Sequence, residues 1–326
     1  MTNSPIAMPA HVVPVLPAGV VSFGMQLPVQ SQSTIYVEPW EPEAGPAELA
    51  RVAQACESAG FFYVGVCDHT FIPERLAGAM STTWYDTVAT LGYLAGVTSE
   101  IRLLSHIYVA ALRHPLRAAK EFATVDVLSS GRVICGVGAG HVNEEFDLMG
   151  PAFDERGAAT DEAIAGLSIG LTEEYPVLLG PRWPASGVGL KPRPVQSPRP
   201  PIWVGGSSLP ALRRTARYAD GWLPQSVGPN VELLATLAEL RAEYRDGAPL
   251  DIGSIAYPLY LGDPPAGNEL PPGTVQGSAD QIATYLRPFG EAGVGQIQVR
   301  FPAHSVEELC DQIARFGAEV IPLVNG

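Results

Sequence analysis

The stretch IRLLSHIYVAALRHPLRAAKEFATVDVLSSGRVICGVG, residues 101–138, carries the pattern that decides the fold. Its apolar runs predict one buried strand over Ile101–Ala110 and another over Arg132–Gly138. Between them, Pro115–Leu128 has the spacing of a helix that begins with a proline and ends before Ser129-Ser130-Gly131. A strand, a crossover helix and a second strand make one parallel βαβ unit.

The same alternation continues on both sides of this unit, and we predict eight strands that are each followed by a helix. The other strands are Val20–Leu27, Phe61–Cys67, Ile202–Gly205, Gly221–Pro224, Ile252–Leu261 and Gln296–Phe301. The other helices are Ala47–Ala59, Thr83–Val97, Glu155–Thr172, Pro210–Ala219, Val231–Tyr244, Ala279–Ala292 and Ser305–Val324. Eight such units in 326 residues predict an α/β fold, a (β/α)8 TIM barrel with insertions.

The alternative fold is a doubly wound open sheet, which carries a glycine-rich nucleotide fingerprint after its first strand. Here the first strand ends in Leu27-Pro28-Val29, so the sequence favours the barrel. We expect a single domain over residues 20–326, with an insertion at about 174–200 that is rich in proline. Residues 1–19 also contain several prolines, and we expect them to form a flexible leader outside the core.

Composition and charge narrow the class of protein. Acidic residues outnumber basic ones by 34 to 20, and a net charge of −14 argues against binding nucleic acid or an anionic membrane surface. The four cysteines form no CxxC pair and have no histidine cluster near them, so we predict reduced thiols and no metal site. The first basic residue is Arg51 and no long apolar span occurs, so we expect a cytoplasmic protein.

Polar residues at two strand ends are the first candidates for chemistry, because barrel active sites form where strands end. Asp68 and His69 follow the second strand, and an imidazole there can pass a proton near neutral pH. The alternative is an aspartate that caps the next turn beside a packed histidine. Ser105 and His106 interrupt the apolar third strand, so either a ligand or a neighbouring backbone group must pair with them.

Glycines and hydroxyls end two further strands. Gly136–Gly140 lets a backbone approach a ligand closely, but it lacks the spacing of a dinucleotide fingerprint, and Asn143 then begins a short helix. Gly205, Gly206, Ser207 and Ser208 precede a helix, an arrangement that suits a phosphate or simply an N-cap. The insertion carries a small basic group that either meets an anionic tail or is solvated: Arg182, Lys191, Arg193 and Arg199.

Together these segments resemble the luciferase-like monooxygenase family, in the branch associated with coenzyme F420. The resemblance runs from about Val20 to Pro224 and depends on the order and spacing of several short motifs. These are Gly65–His69, Arg113–Leu116, Lys120, Leu128–Val133, Gly136–Gly140, Glu144–Phe146, Glu155–Gly157, Lys191-Pro192, Pro201–Gly206 and Asp220–Trp222. The last hundred residues carry no comparable signal.

The resemblance implies a bacterial-luciferase-like barrel, commonly a homodimer, with a deazaflavin or flavin in its mouth. Asp68 and His69 match positions that meet the ring, and His106-Ile107 matches a bulge where a non-proline cis peptide bond commonly supports the ring. The remaining cofactor-binding candidates are Ser105, Gly138, Ala139, Gly140, His141, Asn143 and Gly205–Ser208. Several deazaflavin members have glutamate where this chain has His141, which favours FMN, whereas the basic insertion favours the oligoglutamate tail of F420.

We therefore predict an F420-dependent oxidoreductase that moves a hydride between the cofactor and a small-molecule substrate. In this hypothesis His69 exchanges the proton, Asp68 orients His69, and His106 and His141 are reserve acids or bases. The second hypothesis is an FMN-dependent monooxygenase. The third is a non-catalytic flavin-binding protein on the same scaffold. Trp183 and Trp222 either contact an apolar or ring-bearing substrate or belong to the core.

Overall fold

A parallel barrel forms the centre of the computed structural model, which describes residues 12–34, 37–265 and 267–326. The strands in chain order are β1 (Ser22–Gln26), β2 (Tyr63–Val66), β3 (Arg102–Ser105), β4 (Tyr108–Val109), β5 (Val133–Gly138), β6 (Ile202–Gly205), β7 (Gly221–Leu223), β8 (Asp251–Ile255), β9 (Leu259–Leu261), β10 (Val275–Gly277) and β11 (Gln296–Gln298). The sheet order β3-β2-β1-β11-β8-β7-β6-β5 is closed by pairing of β3 with β5. The predicted TIM barrel is therefore confirmed.

Helices surround the barrel. They are α1 (Pro46–Ser58), α2 (Ala77–Met80), α3 (Thr87–Val97), α4 (Pro115–Leu128), α5 (Asn143–Met149), α6 (Arg156–Thr172), α7 (Leu209–Tyr218), α8 (Val231–Arg245), α9 (Ala279–Glu291), α10 (Val306–Arg315) and α11 (Ile321–Asn325). Side-chain caps fix several starts: Asp86 accepts from the Ala89 amide, and Ser278 forms a capping box with Gln281. The predicted last helix is interrupted by a π-helical turn over Phe316–Val320.

Two predicted strands are interrupted. The predicted third strand divides into β3 and β4, because Leu104 pairs with Ile134 whereas Tyr108 pairs with Val137. Three residues thus oppose two, which is a β-bulge at the predicted position. The predicted strand Ile252–Leu261 divides into β8, which belongs to the barrel, and β9, which pairs with β10 outside it.

Residues near the start of the chain close the N-terminal end of the barrel. The amide of Val12 donates to Asp220 at 2.9 Å, and the amides of Val15 and Leu16 donate to the two carboxylate oxygens of Asp251. Val15 and Leu16 also pack against the buried interior cluster, which includes Trp203. The prediction that residues 1–19 form a flexible leader outside the core is therefore wrong for residues 12–16, because buried carboxylates bind their amides. Residues 1–11 lie outside the described residues.

The insertion between α6 and β6 is irregular but anchored. Each of its four basic residues has a partner within the protein: Arg182 pairs with Glu155 and Glu162, Lys191 with Glu174, Arg193 with carbonyls at the end of α6, and Arg199 with Asp220. Arg199 is fully buried. The interpretation of this group as a solvated loop is therefore wrong for the buried Arg199, whereas Lys191, with 66% of its side chain exposed, agrees with it. That the other basic residues of the insertion meet an anionic tail stays a prediction.

Several compositional features have a simple structural counterpart. All four cysteines are free, and Cys56, Cys67 and Cys135 are buried. Burial raises the pKa of the Cys67 thiol to about 11. In the described part of the chain, no three histidine, cysteine, aspartate or glutamate side chains are grouped so that they could hold a metal ion. None of the helices described above is both long and apolar enough to cross a membrane.

Candidate active site

The predicted site residues lie along one arc of the C-terminal mouth of the barrel. Parallel pairing places the ends of β2, β3, β4, β5 and β6 side by side, with Val66 beside Ser105, Val109 beside Gly138 and Gly205 beside Leu223. Asp68, His69, the bulge at His106-Ile107, the glycine loop and the turn at residues 205–208 therefore follow one another around the rim. This is the edge at which TIM barrels carry their chemistry.

His69 is held by a carboxylate from another element. Its Nδ1 lies 2.9 Å from Oε2 of Glu145 in α5, and the amide of Thr70 donates to Oε1 of the same residue at 2.7 Å. Burial by itself raises the pKa of Glu145, but hydrogen bonds from His69 and from the amides of Thr70 and Phe71 outweigh it and lower that pKa. Glu145 is therefore an ionised acceptor that holds His69 through Nδ1.

The ring of His69 also contacts two other rings. The His69 ring meets the Trp84 ring edge-on at a centroid distance of 4.6 Å and the His141 ring at 5.3 Å. Removal of water from the His141 ring by the groups around it, together with the nearby His69, lowers the pKa of His141. Only 8% of the His69 side chain is exposed, and these contacts hold its imidazole in one orientation.

Asp68 does not orient His69, so that part of the prediction is wrong. Both Asp68 carboxylate oxygens pair with the guanidinium of Arg113, and further hydrogen bonds come from the Val109 amide at 2.7 Å and the Thr87 hydroxyl at 3.0 Å. Arg113 also lies over the Tyr108 ring, with 4.4 Å between its Cζ and the ring centroid. With its oxygens saturated, Asp68 joins β2 to β4 and has no contact with the imidazole beside it in sequence.

The bulge at His106-Ile107 contains the non-proline cis peptide bond that the family resemblance implies. Ser105 is fully buried, and its hydroxyl donates to the Gly136 carbonyl at 2.8 Å. The alternative that a backbone group satisfies Ser105 is thus the correct one for its side chain. His106 is partly exposed at the floor of the mouth, and burial lowers its pKa to about 4, so it is a neutral imidazole.

Two of the predicted glycines make room for the Ile107 side chain. A Cβ on Gly138 would lie 3.0 Å from Cγ2 of Ile107, and a Cβ on Gly205 would overlap its Cδ1. These strand-end glycines therefore let Ile107 sit between β5 and β6 as an apolar, partly exposed surface. The sequence interpretation that these glycines let the backbone approach a ligand stays a prediction, and at Gly138 and Gly205 the group that approaches is the side chain of Ile107.

In the loop after β5, Gly140, Ala139 and Asn143 place backbone rather than large side chains at the mouth of the barrel. Gly140 has φ of +74°, and a Cβ there would press on Val109 and Phe146, so only glycine fits. Ala139 is partly exposed beside it. The Asn143 amide bonds to Asp147 within α5, so this predicted cofactor-binding side chain is turned along its own helix.

The turn over Gly205–Ser208 has the features of an anion site. Ser208 caps α7 through its hydroxyl, and the Ser207 hydroxyl accepts from the Gln225 amide at 2.9 Å. Gly206 is fixed by Trp222, whose indole N–H donates to the Gly206 carbonyl at 2.8 Å. Within the described part of the chain, the amides of Ser207 and Ser208 have no hydrogen-bond acceptor at the start of a ten-residue helix. Trp222 itself is buried, so of the two alternatives for this residue the structure agrees with a core position that supports the turn.

The residues along this arc are of the kinds that would hold a planar ring with a phosphate-bearing chain. Ile107 and the bulge supply an apolar floor, His69 stands at one side, and the unpaired amides lie at the other end. Sequence reasoning missed the roles of Glu145 and Arg113, although both belong to segments that carry the family resemblance. That the arc residues bind a cofactor stays a prediction.

The fold is a TIM barrel, and its candidate site residues lie at the C-terminal mouth. The sequence profile described as luciferase-like monooxygenase matches residues 21–266. The chain belongs to the luciferase-like monooxygenase family, whose members are oxidoreductases and monooxygenases.

Relatives by sequence include an uncharacterized protein and a reductase. An uncharacterized protein of Mycobacterium tuberculosis is 32% identical over 268 residues, covering 74% of this chain and 91% of that protein. The 5,10-methylenetetrahydromethanopterin reductase of Methanopyrus kandleri is 28% identical over 205 residues, covering 58% of this chain and 54% of that enzyme. The match thus spans about half of the reductase.

Solved structures confirm the architecture. The monooxygenase RslO1 from Streptomyces bottropensis superimposes with a TM-score of 0.73 at 22% identity, covering 93% of this chain and 99% of that one. An F420-dependent secondary alcohol dehydrogenase superimposes with a TM-score of 0.70 at 17% identity, covering 94% and 99%. At these identities the similarity establishes the fold, and a deazaflavin or a flavin remains compatible with it.

Proposed function

We propose that this protein is an F420-dependent oxidoreductase that transfers a hydride to or from a small organic substrate. The observation that carries the proposal is the His69–Glu145 pair at the mouth, with Nδ1 and Oε2 2.9 Å apart. Reduction of a carbonyl needs one proton for each hydride, and an imidazole backed by a carboxylate can supply it. The similarity to the Methanopyrus reductase adds support.

The residues present divide the work as follows. Ile107 and the bulge would carry the ring, and the amides of Ser207 and Ser208 would hold its phosphate. When bound, a reduced deazaflavin supplies the hydride. Glu145, as an acceptor, keeps a His69 proton on Nδ1, so Nε2 accepts a proton from the substrate oxygen in one direction and returns it in the other.

The experiment that tests this proposal is a spectroscopic titration of the purified protein with coenzyme F420 and, separately, with FMN. We expect F420 to bind with a change in its absorption and its reduced form to be oxidised by a panel of carbonyl compounds. Tight FMN binding together with NADH-driven oxygen uptake would overturn the proposal. Full occupancy by F420 without turnover across the panel would favour a non-catalytic binding protein.

The second candidate is an FMN-dependent monooxygenase. The observation in its favour is His141, which stands beside His69 where several deazaflavin members have glutamate. The similarity in fold to the RslO1 monooxygenase is compatible with it. The same titration separates the two candidates, because only one of them consumes oxygen.

Two further properties belong to the proposal. We propose a homodimer, on the family resemblance, and light scattering should then give twice the mass of one chain. We also propose a cytoplasmic location, which the free cysteines support because a reducing compartment keeps such thiols unpaired. Fractionation of the native host would test the second property.

A further inference from the structure

A cavity of about 360 Å³ lies beside the barrel mouth, outside the arc described above. Its walls come from the turn after β4, the end of α5 and the insertion, and its size falls within the usual range of small-molecule pockets. Arg113 lines it and bonds to Asp68 on the other side. The cavity therefore adjoins the arc, and the Asp68–Arg113 ion pair bounds it there.

One part of the lining is apolar and includes an aromatic surface. Leu112, Met149 and Trp183 face the cavity. The Trp183 amide donates to the Glu162 carboxylate at 3.0 Å, and the Arg182 amide donates to the same oxygen at 2.8 Å. Glu162 is buried in α6, so it fixes the turn that presents the indole and the neighbouring guanidinium. An aromatic ring is the group that such a wall binds best.

The other part of the lining is basic, in a chain whose net charge is −14. Two guanidinium groups, of Arg113 and Arg182, and one carboxylate, of Glu155, line the cavity. Arg113 is committed to Asp68, whereas Arg182 reaches Glu155 at 2.8 Å, and the Glu155 side chain is 56% exposed. A carboxylate on a ligand can replace Glu155 at Arg182 with little loss, because Glu155 returns to water.

His114 supplies a second donor. Its Nδ1 accepts a hydrogen bond from the Leu116 amide at 3.2 Å, so the neutral imidazole carries its proton on Nε2. The residue lines the same cavity and is exposed. Arg182 and His114 are thus two hydrogen-bond donors near the Trp183 ring, and the expected ligand combines an aromatic ring with an acceptor group.

We propose that this cavity binds a small aromatic carboxylate, with its ring on Trp183 and its carboxylate between Arg182 and His114 in place of Glu155. This site is separate from the arc at His69 and does not depend on which cofactor the barrel binds.

Titration calorimetry with 2-naphthoate tests the proposal on the full chain. We expect one site, and weaker binding of the uncharged 2-naphthamide. Arg182→Gln should weaken 2-naphthoate binding about tenfold, as expected for the loss of a charge-assisted hydrogen bond. Lys191→Gln is the matched control, because it removes a positive charge from the same insertion at a residue paired with Glu174. That variant should bind as the unmodified protein does.

A second pair of variants guards against effects of misfolding. Glu155→Gln should tighten binding severalfold, because it removes the competing carboxylate, and a damaged protein would not bind more tightly. Trp183→Leu should weaken binding, whereas Trp84→Leu at the mouth should not. The proposal is overturned if millimolar 2-naphthoate does not bind, if the affinity is the same in Arg182→Gln and Glu155→Gln, or if the affinity follows Trp84 and not Trp183.

Discussion

Glu145 and His69 lie 76 positions apart in the sequence, yet the Glu145 carboxylate contacts Nδ1 of the imidazole at 2.9 Å. The other oxygen of Glu145 accepts the Thr70 amide, so the carboxylate is fixed at both ends. A carboxylate that accepts from Nδ1 determines the tautomer and the orientation of the ring. His69 is therefore equipped for proton transfer through Nε2, and two predictions test the pair.

Replacing His69 by alanine should lower kcat by about 10²–10⁴, the usual contribution of a general acid or base. The Kd of the cofactor should change little, because Ile107 and the amides of the 205–208 turn are retained. Steady-state kinetics and a fluorescence titration of the cofactor measure the two quantities. Unchanged turnover in His69→Ala would remove this residue from the role of proton donor.

Glu145→Gln keeps a hydrogen-bond acceptor but removes the charge, so kcat should fall about five- to tenfold, which corresponds to about 1 kcal/mol. Glu145→Ala should lose more, and added formate should restore part of its kcat by supplying a carboxylate at Nδ1. Glu144→Gln is the matched control, since Glu144 precedes it in α5 and pairs with the exposed Arg75. Equal losses in kcat for Glu144→Gln and Glu145→Gln would show that the effect is not specific to the pair.

The Asp68–Arg113 ion pair should contribute to stability more than to the chemical step. Only 2% of the Asp68 side chain and 16% of the Arg113 side chain are exposed. Asp68→Asn should lower the free energy of unfolding by about 3–5 kcal/mol, because it leaves the guanidinium unpaired in the interior. Urea unfolding of Asp68→Asn, Arg113→Met and the double variant completes the cycle. The double variant should be less destabilised than the sum of the single ones, and additive losses would contradict the pairing.

The order of the strands and helices was predictable because each of them has a local sequence pattern. Each buried parallel strand is a short apolar run, and each helix has apolar residues at helical spacing and a cap. The interruption at His106-Ile107 was predictable because the family resemblance places a bulge there, and the register of β3 and β4 against β5 confirms it. The predictions that were wrong concerned which residues, distant in sequence, contact each other.

The partner of His69 could not be read from the sequence, because neighbouring residues at a strand end point to different sides. Asp68 turns toward Arg113 and His69 toward Glu145, so adjacency suggested the wrong pair. The chain start gave a similar error. Prolines indicate a loose segment, but the amides of Val15 and Leu16 bind Asp251, which is 235 or more positions away. Partners so distant in sequence leave no local pattern.

Gly205 should tolerate no side chain unless Ile107 becomes shorter. A Cβ at position 205 would overlap Cδ1 of Ile107, so Gly205→Ala should cost about 1–3 kcal/mol of unfolding free energy. Ile107→Val removes Cδ1, and the double variant Gly205→Ala/Ile107→Val should recover most of that loss. Chemical unfolding of the four proteins gives the coupling energy. A double variant that is no more stable than Gly205→Ala would show that Ile107 is not what the glycine accommodates.

His106 should make the protein less stable in mild acid. Burial lowers its pKa from 6.5 to about 4 in the folded protein. As the pH falls below 6.5, His106 becomes protonated in the unfolded chain, whereas in the folded protein it stays neutral until about pH 4. The free energy of unfolding therefore decreases as the pH falls from 6.5 to about 4, and the contribution of His106 is fully present above pH 6.5. The effect amounts to about 3 kcal/mol at its limit. Urea unfolding between pH 4 and 7.5 should show this slope for the unmodified protein and a smaller one for His106→Gln. His304→Gln, at an exposed position, is the control and should retain the slope; if His106→Gln retained it as well, the acid sensitivity would belong to another group.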